Sequence, residues 1–281
     1  MQEDLNKIYR WAEENIMKFN EAKFEQMTCG ITKEVDVEPY KTATSTEIEF
    51  KSRVKDLGVV TNENVRFKEH IDGVVLACRV KQGNILRNFS TRKEETMMKL
   101  YKTHIRSKAE YCCIVWSPTL KQEISKIERI QKSFTKKING MDDMNYHQRL
   151  KSLKLYSLER RRERYMIINT WQQLEGQRDN LMDFKVNERS RHRTIKSTCV
   201  KWNGNSKNAS IIYNSPALKM MRLFNAIPED IRDTTGVKLE TFKRKLDKWL
   251  KLVPDTPIID NYRAAAESNS LVHQAAHSRN L

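Results

Sequence analysis

The 281-residue sequence has few of the residues that interrupt helices, since it holds only eight glycines and six prolines. This scarcity argues against a β-rich or low-complexity chain and favours a mainly helical fold. No stretch approaches the length of a membrane-spanning helix, and no signal peptide opens the chain. The five cysteines are odd in number and irregularly spaced, and the six histidines do not cluster beside them. The sequence therefore predicts reduced thiols in an intracellular protein, without a disulfide framework or a zinc site.

Positive charge is what the sequence has in excess. Its 52 Lys and Arg outnumber its 36 Asp and Glu, which gives a net charge of +16. The first 60 residues are slightly acidic, with nine basic and twelve acidic side chains, whereas residues 61–281 hold the whole excess. A basic body of this kind favours a polyanionic partner, of which nucleic acid is the commonest and an anionic membrane is the rival. Because no segment is suited to a membrane, we expect nucleic acid as the partner.

A hairpin pattern forms the first compact apolar stretch after a long polar passage. Lys55-Asp56-Leu57-Gly58-Val59-Val60 places a glycine where a tight turn needs one, and polar Thr61-Asn62-Glu63-Asn64 follows directly. This pattern predicts a strand that runs into a hairpin turn. On its own, the hairpin carries no chemistry.

Six short segments follow one another in a recognisable order. They are Phe19-Asn20-Glu21-Ala22-Lys23, Lys55-Asp56-Leu57-Gly58-Val59, Tyr111-Cys112, Trp116-Ser117-Pro118, Ser157-Leu158-Glu159-Arg160-Arg161-Arg162 and Phe224-Asn225-Ala226-Ile227-Pro228. In this order they resemble the C-terminal third of a non-LTR (LINE-type, jockey-like) retrotransposon reverse transcriptase. The last segment departs from the family's Trp-Asn-x-Leu-Pro, with Phe in place of Trp and Ile in place of Leu. The resemblance extends from about Met1 to about Val253.

The resemblance implies roles that the residues alone do not establish. Asn20 and Lys23 match the palm's motif D, whose lysine lies near the phosphates of the incoming nucleotide. The primer grip, which holds the primer end against the palm, is matched by Lys55, Asp56, Leu57, Gly58 and Val59. The implied partners are RNA, an RNA/DNA hybrid, and the upstream palm and fingers of an RNA-directed DNA polymerase. Mg²⁺ is implied as a cofactor only for the complete polymerase, and none is expected for this chain.

We expect no catalytic or metal-binding residue in this chain. The family's reaction needs three metal-binding carboxylates. They hold two metal ions, and the ions stabilise the attacking and the leaving oxygens. The only adjacent aspartate pair, Asp142-Asp143, follows Gly140-Met141 and precedes polar Met144-Asn145, so it lacks the strand–turn–strand context. We interpret the pair as part of an interhelical loop. The catalytic aspartates are expected upstream of Met1, which makes the chain a truncated segment that is inactive alone.

Two predicted helices carry the densest positive charge. The first begins near Thr119 and ends at Asn139-Gly140, and an apolar face recurs every three or four residues along it. The second is capped by Ser157. Their candidate nucleic-acid-binding residues are Lys126, Arg129, Lys132, Lys136, Lys137, Arg160, Arg161, Arg162 and Arg164. A groove that follows phosphates is one hypothesis. The alternatives are a solvated basic face for the first helix and internal pairing with Glu159 and Glu163 for the second.

The expected architecture is mainly α. It comprises a palm remnant with a small β-hairpin (1–60), a helical thumb-like bundle (61–176), a polar linker with one strand pair (177–214), a C-terminal helical module (215–253) and a disordered tail (254–281), in which Ala264-Ala265-Ala266 indicates a short helix. The expected function is to bind and position an RNA template and a DNA primer, in the nucleus or the cytoplasm and not outside the cell. The rivals are a co-opted nucleic-acid-binding protein and a helical protein-interaction scaffold.

Overall fold

A computed structural model of the chain describes residues 1–29, 38–197, 212–257, 259 and 268–278. They form two compact units, Met1–Gly73 and Val74–Leu281, so the division lies at residue 73 and not at the predicted residue 60. The prediction of a mainly α fold is confirmed, because helices dominate the described residues and the strands form only two antiparallel hairpins. No helix in these ranges is both long enough and apolar enough to cross a membrane.

The first unit contains one long helix and the predicted hairpin. Its elements are α1 (Gln2–Glu14), a 3₁₀ turn (Glu21–Lys23), β1 (Arg53–Asp56) and β2 (Val59–Asn62). The strands pair with Asp56 opposite Val59, and Leu57 and Gly58 at the turn have φ values of 44° and 85°. Two successive positive φ values are typical of the type I′ turns that fit two-residue hairpins. The hairpin is confirmed, but its turn lies at Leu57-Gly58, and Thr61 and Asn62 belong to the second strand.

Helix α1 ends at Glu14, before the segment Phe19-Asn20-Glu21-Ala22-Lys23 begins. Asn15 donates its side-chain amide to the Trp11 carbonyl oxygen at 2.8 Å, so it satisfies a carbonyl of the last turn. Ile16 then adopts a φ of 56° and is 97% exposed. The segment from Phe19 to Lys23 therefore lies outside α1.

The second unit is built from helices and one further hairpin. Its long helix α2 (Lys68–Asn88) begins in the first unit. The remaining elements are α3 (Glu94–Leu100), a π-helical stretch (Tyr101–Arg106), α4 (Ser107–Glu110), α5 (Cys113–Trp116), α6 (Lys121–Thr135), α7 (Tyr146–Ser152), α8 (Leu158–Leu174), β3 (Phe184–Val186), β4 (Ile195–Ser197), α9 (Pro216–Ala226), α10 (Glu229–Arg232), α11 (Leu239–Leu250) and α12 (Leu271–Ser278).

The main core of this unit lies between α8, α9 and α11. Trp171 of α8 stacks on Phe242 of α11 with ring centroids 4.6 Å apart. Phe184 of β3 and Ile195 of β4 are buried in the same cluster. The predicted strand pair within residues 177–214 is therefore confirmed, but it packs into the core and is not a linker. Residues 198–211 of that segment lie outside the described residues.

The segment that resembles Trp-Asn-x-Leu-Pro anchors this hairpin. Phe224 is fully buried, and the side chain of Asn225 binds both backbone groups of Ile195. The Ile195 N–H donates to Asn225 Oδ1 at 2.9 Å, and Asn225 Nδ2 donates to the Ile195 carbonyl oxygen at 2.9 Å. An amide side chain thus replaces the strand neighbour that Ile195 would otherwise need.

The prediction of a disordered tail is wrong for the part of it that the structure describes. Ile259 and Asn269 are buried, and so is Leu271, the first residue of α12. Asp255 accepts hydrogen bonds from the Ser157 N–H at 2.7 Å and from Asn269 Nδ2 at 2.9 Å. These contacts attach the tail to the beginning of α8. The indicated helix at Ala264-Ala265-Ala266 lies outside the described residues.

Candidate nucleic-acid interface

Helix α6 is amphipathic in the way that its spacing predicts. Ile127, Ile130 and Phe134 recur every three or four residues and are all buried. Leu120 is an exception, because it is 61% exposed at the extended N-cap position just before the helix. The helix ends at Thr135 with Lys136 as a right-handed C-cap, before the predicted end at Asn139-Gly140, although Gly140 does have a positive φ of 75°.

The surface of α6 is almost purely cationic from Lys126 onward. Between positions 126 and 137, the side chains that are exposed or half-exposed are those of Ser133 and the α6 cation row. This row is defined as Lys126, Arg129, Lys132, Lys136 and Lys137. The only acidic residue in this range, Glu128, is completely buried. The helix therefore places no carboxylate at the surface between these positions, and its other acid, the half-exposed Glu123, lies in the first turn, three residues before Lys126.

The geometry of a helix aligns these charges along one side. Positions three and four apart are neighbours on a helix surface, so residues 126, 129, 132, 136 and 137 form a continuous row. At 1.5 Å per residue, the row extends for roughly 16 Å. Duplex nucleic acid carries one phosphate charge per about 1.7 Å of its axis, so the row can face several phosphates at once.

Glu128 is buried because it caps α8. Both of its carboxylate oxygens accept a hydrogen bond from the Leu158 N–H, at 3.1 and 3.0 Å, and Oε2 also accepts one from the Glu159 N–H at 3.3 Å. Tyr146 donates its hydroxyl to the same carboxylate. Burial raises the pKa of Glu128 to about 7, although the Tyr146 hydrogen bond and the charge of Arg162 oppose the shift.

Two of the four candidate arginines on α8 face the interior of the unit. Arg160 has no exposed surface and donates to the carbonyl oxygens of Pro254 and Asn269 at 3.1 and 2.9 Å, and to Gln274 Oε1 at 3.0 Å. Arg162 is only 2% exposed. Neither guanidinium lies on an outer face of α8 where a groove for a duplex was predicted, so the structure places these two candidate residues in the interior of the unit.

The other two arginines are half-buried and paired with carboxylates. Arg161 forms a two-pronged contact with Glu110, in which Nη2 lies 2.9 Å from Oε2. Arg164 does the same with Asp247, and its Nη2 lies 2.8 Å from Oδ2. Internal pairing therefore describes the block better than a phosphate groove. The partners of Arg161 and Arg164 come from α4 and α11, and not from Glu159 or Glu163.

The motif D-like and primer grip-like residues all lie in the first unit. Asn20 directly precedes the 3₁₀ turn, and Lys23 at its end is exposed. In the hairpin, Val59 is buried, whereas the exposed members are Lys55, Asp56, Leu57 and Gly58. The adjacent Val60 N–H donates to His70 Nδ1 at 3.3 Å, which ties the second strand to α2 within this unit.

Asp142 and Asp143 are exposed in the loop between α6 and α7, as predicted. Asn145 begins α7 with a reciprocal capping box: its Oδ1 accepts from the Gln148 N–H at 3.0 Å, and its own N–H donates to Gln148 Oε1 at 2.8 Å. In the ranges that the structure describes, no group of three or more His, Cys, Asp and Glu side chains is placed to hold a metal ion.

One feature of the second unit was missed at the level of sequence. A cleft of about 1020 Å³ beside α4 and α8 is lined by Lys102, Arg106, Tyr111, Arg178 and Lys243, among others. The only available signal was the spacing of Lys102 and Arg106, which lie four residues apart on a helical stretch. The remaining residues meet there only through the tertiary fold.

The chain was compared with models of protein families, with curated proteins and with solved structures, and it matches none of them. Its function is therefore inferred from its own residues and their geometry.

Proposed function

We propose that the Val74–Leu281 unit binds RNA or an RNA/DNA hybrid through the α6 cation row, without reading the base sequence. The observation that carries the proposal is the surface between positions 126 and 137, on which five cations and Ser133 stand and from which Glu128 is withdrawn. A solvated face that serves solubility alone normally mixes both signs of charge. A row of one sign is typical of a surface that meets a polyanion.

The buried charges of the unit strengthen this proposal. Arg161 and Arg164 are neutralised by Glu110 and Asp247, so the densest cationic block in the sequence contributes little to the outer field. The α6 cation row, by contrast, places five basic side chains at the surface within twelve positions. Binding through such a row depends on phosphate charge and counterion release, and it has little sequence preference.

We further propose that the chain serves as the template- and primer-positioning part of a non-LTR retrotransposon reverse transcriptase. The ordered set of six resembling segments supports this, together with the tight hairpin at Lys55–Val59. In this proposal the chain supplies no catalytic carboxylate, and Mg²⁺ belongs to the complete polymerase. Lys23 and the hairpin would then serve the nucleotide and the primer, while the α6 cation row binds the duplex.

A salt titration of the full chain with a short RNA/DNA hybrid tests the binding proposal. If about six phosphates are contacted, log K falls with log salt with a slope of roughly −4 to −5. The variant Arg129→Gln, Lys136→Gln, Lys137→Gln should flatten the slope by roughly two to three and weaken binding by more than about tenfold, since each lost phosphate contact contributes about 0.7–0.9 to the slope.

A matched control removes the same charge from another helix. Arg244, Lys248 and Lys251 are exposed on or just after α11, and their triple replacement by Gln should affect the binding much less. Equal losses in both triple variants would contradict the assignment to α6. A slope near zero for the unaltered chain would rule out nucleic-acid binding and favour a scaffold for acidic proteins.

A further inference from the structure

A half-enclosed cavity of about 140 Å³ lies between α8, α9 and the segment before α12. We refer to it as the Arg162 cavity. Its lining includes Ser117, Glu159, Arg162, Glu163, Lys219 and Arg222. Three of these side chains are basic, and they come from two helices, so the cavity concentrates cations that are far apart in the sequence.

Arg162 brings two unpartnered donors to this cavity. The side chain is 98% buried, given its 2% exposure, and neither Nη1 nor Nη2 has a hydrogen-bond partner among the described residues. Arg160 on the same helix also has two buried nitrogens without a hydrogen-bond partner, Nε and Nη1, but its Nη2 donates to three oxygens of the tail. Burying a guanidinium is costly unless acceptors are present, and the two Nη groups of Arg162 form a fork that suits two oxygens of one anion.

Lys219 provides a second cation with a donor to spare. Its ammonium donates to Ser117 Oγ at 3.0 Å and to the Pro118 carbonyl oxygen at 3.2 Å, which accounts for two of its three N–H groups. In these contacts the Ser117 hydroxyl accepts, so its own proton remains for another acceptor. The hydroxyl of Ser268, which also lines the cavity, likewise accepts from the Ser270 N–H at 3.2 Å.

The two glutamates of the lining do not cancel this positive charge near neutral pH. Burial, assisted by repulsion from Glu159, raises the pKa of Glu163 to about 7. Burial also raises the pKa of Glu159. For Lys219, burial lowers the pKa to about 8, which still leaves the ammonium mostly charged at pH 7. The lining thus holds three basic side chains against two acids whose ionisation burial opposes, so its cations are in excess.

The carboxylate of Glu163 is also occupied. It accepts hydrogen bonds from the Leu271 N–H at 3.1 Å and from the Ser270 hydroxyl, so it holds the start of α12. These bonds direct its oxygens toward the tail. Among Arg162, Lys219 and Glu163, the unsatisfied hydrogen-bonding capacity therefore consists of donors.

The size of the cavity limits the ligand. A water molecule occupies roughly 30 Å³ in the liquid, so 140 Å³ holds only a few atoms of that size. We propose that the Arg162 cavity binds one phosphate-type oxyanion, either free or as the terminal phosphate of a nucleotide or a nucleic acid. Arg162 donates hydrogen bonds to two oxygens of the anion, and the Ser117 and Ser268 hydroxyls donate to it as well. The Lys219 ammonium compensates the negative charge of the anion. This site is separate from the α6 cation row and does not depend on the function proposed for that row.

Calorimetric titration of the full chain with inorganic phosphate, at constant ionic strength, tests the proposal directly. We expect one saturable site per chain and a rise in Tm with phosphate, because a ligand that binds only the folded state stabilises it. Arg162→Met should weaken the binding by at least about tenfold, as expected for the loss of a charge-assisted pair of hydrogen bonds. Lys219→Met should also weaken it, whereas Lys248→Gln, an exposed change of equal charge, should leave it unchanged.

Two further binding experiments distinguish free phosphate from the terminal phosphate of a nucleotide or a nucleic acid. Competition by AMP, or tighter binding of a 5′-phosphorylated oligonucleotide than of its 5′-hydroxyl counterpart, assigns the site to a terminal phosphate. Binding of inorganic phosphate without either effect assigns it to the free anion. If Arg162→Met fails to fold, Ser117→Ala and Arg162→Lys provide milder losses of donors, and both should reduce the affinity.

Absence of saturable binding by inorganic phosphate, AMP and the 5′-phosphorylated oligonucleotide to the unaltered chain would overturn the proposal. A folded Arg162→Met chain that binds phosphate as tightly as the unaltered chain would also overturn it. Either result would leave the salt-dependent binding by α6 untouched. The salt titration of the α6 triple variant therefore tests nucleic-acid binding by α6 independently of phosphate binding in the Arg162 cavity.

Discussion

Glu128 of α6 and Leu158 of α8 are joined by hydrogen bonds from one backbone N–H to both oxygens of one carboxylate, at 3.1 and 3.0 Å. The carboxylate lies at the positive end of α8, where the helix dipole favours a negative charge. The same side chain is the only acid between positions 126 and 137. One contact therefore orients α8 and leaves the surface of α6 cationic.

The buried Glu128 should make the stability of the fold depend on pH. Its pKa rises from 4.5 to about 7 on folding, so the folded state favours the neutral acid. This contribution is complete below about pH 4.5 and is lost as the pH rises through 7. Glu128→Gln cannot ionise, so the stability of the unaltered chain relative to the variant should fall over that interval by up to about 3 kcal/mol, at 1.36 kcal/mol per unit.

Urea denaturation of both chains at several pH values measures this difference. Glu95 provides a control of opposite sign. The hydrogen bond from Lys99 lowers the pKa of its exposed carboxylate, so its contribution to stability is lost as the pH falls and not as it rises. A constant difference between the Glu128→Gln variant and the unaltered chain from pH 4.5 to 7 would contradict the raised pKa.

Arg160→Met should destabilise the second unit strongly. The substitution removes hydrogen bonds to Pro254, Asn269 and Gln274 and leaves the buried Glu163 without its nearest cation, which lies 3.8 Å away. Breaking a buried charge pair of this kind typically costs about 3–5 kcal/mol. Arg129→Gln, on the exposed row, should cost less than about 0.5 kcal/mol.

The free energies of unfolding of the two variants, measured in urea, provide the comparison. Similar small losses in the free energy of unfolding of both variants would indicate that the buried contacts of Arg160 contribute little to the stability of the unit. Binding of the RNA/DNA hybrid should be weakened more by Arg129→Gln than by Arg160→Met, since of these two residues only Arg129 is placed to contact a phosphate.

Gly58→Ala should destabilise the hairpin of the first unit by about 1–2 kcal/mol, because an L-residue at a φ of 85° is strained. Gly73→Ala is the matched control. Gly73 lies inside α2, and a Cβ there meets nothing within 4 Å, so alanine should stabilise the helix by up to about 1 kcal/mol. Amide exchange at Val54 and Thr61, the next hydrogen-bonded pair of the hairpin, follows the first effect. Unchanged exchange in Gly58→Ala would show that the turn does not need glycine.

The pair Asp142 and Asp143 should have no part in catalysis. Both are exposed in an interhelical loop, and two metal ions would need carboxylates held together in a rigid site. We expect no primer extension by the isolated chain with Mg²⁺ or Mn²⁺. Asp142→Ala with Asp143→Ala should leave hybrid binding and stability nearly unchanged. Extension by the unaltered chain that disappears in this double variant would overturn the assignment.

Local interactions account for the parts of the fold that the sequence determined by itself. The 3- and 4-residue spacing of Ile127, Ile130 and Phe134 specified α6 and its buried face, because the period of a helix is the same wherever it packs. Ser157 caps α8 and Gly58 forms part of the hairpin turn, as their chemistry predicts. Each of these features depends on residues within a few positions of one another.

The tertiary structure alone decided which charges face the solvent. Arg160 meets Pro254 and Asn269 roughly a hundred positions along the chain, and Glu128 meets Leu158 thirty positions away. The burial of a charge depends on the groups that compensate it, and those groups came from segments that the sequence pattern assigned to a disordered tail or to a separate helix. A run of arginines therefore looks the same in sequence whether it lines a groove or ties a core together, and only the fold tells the two apart.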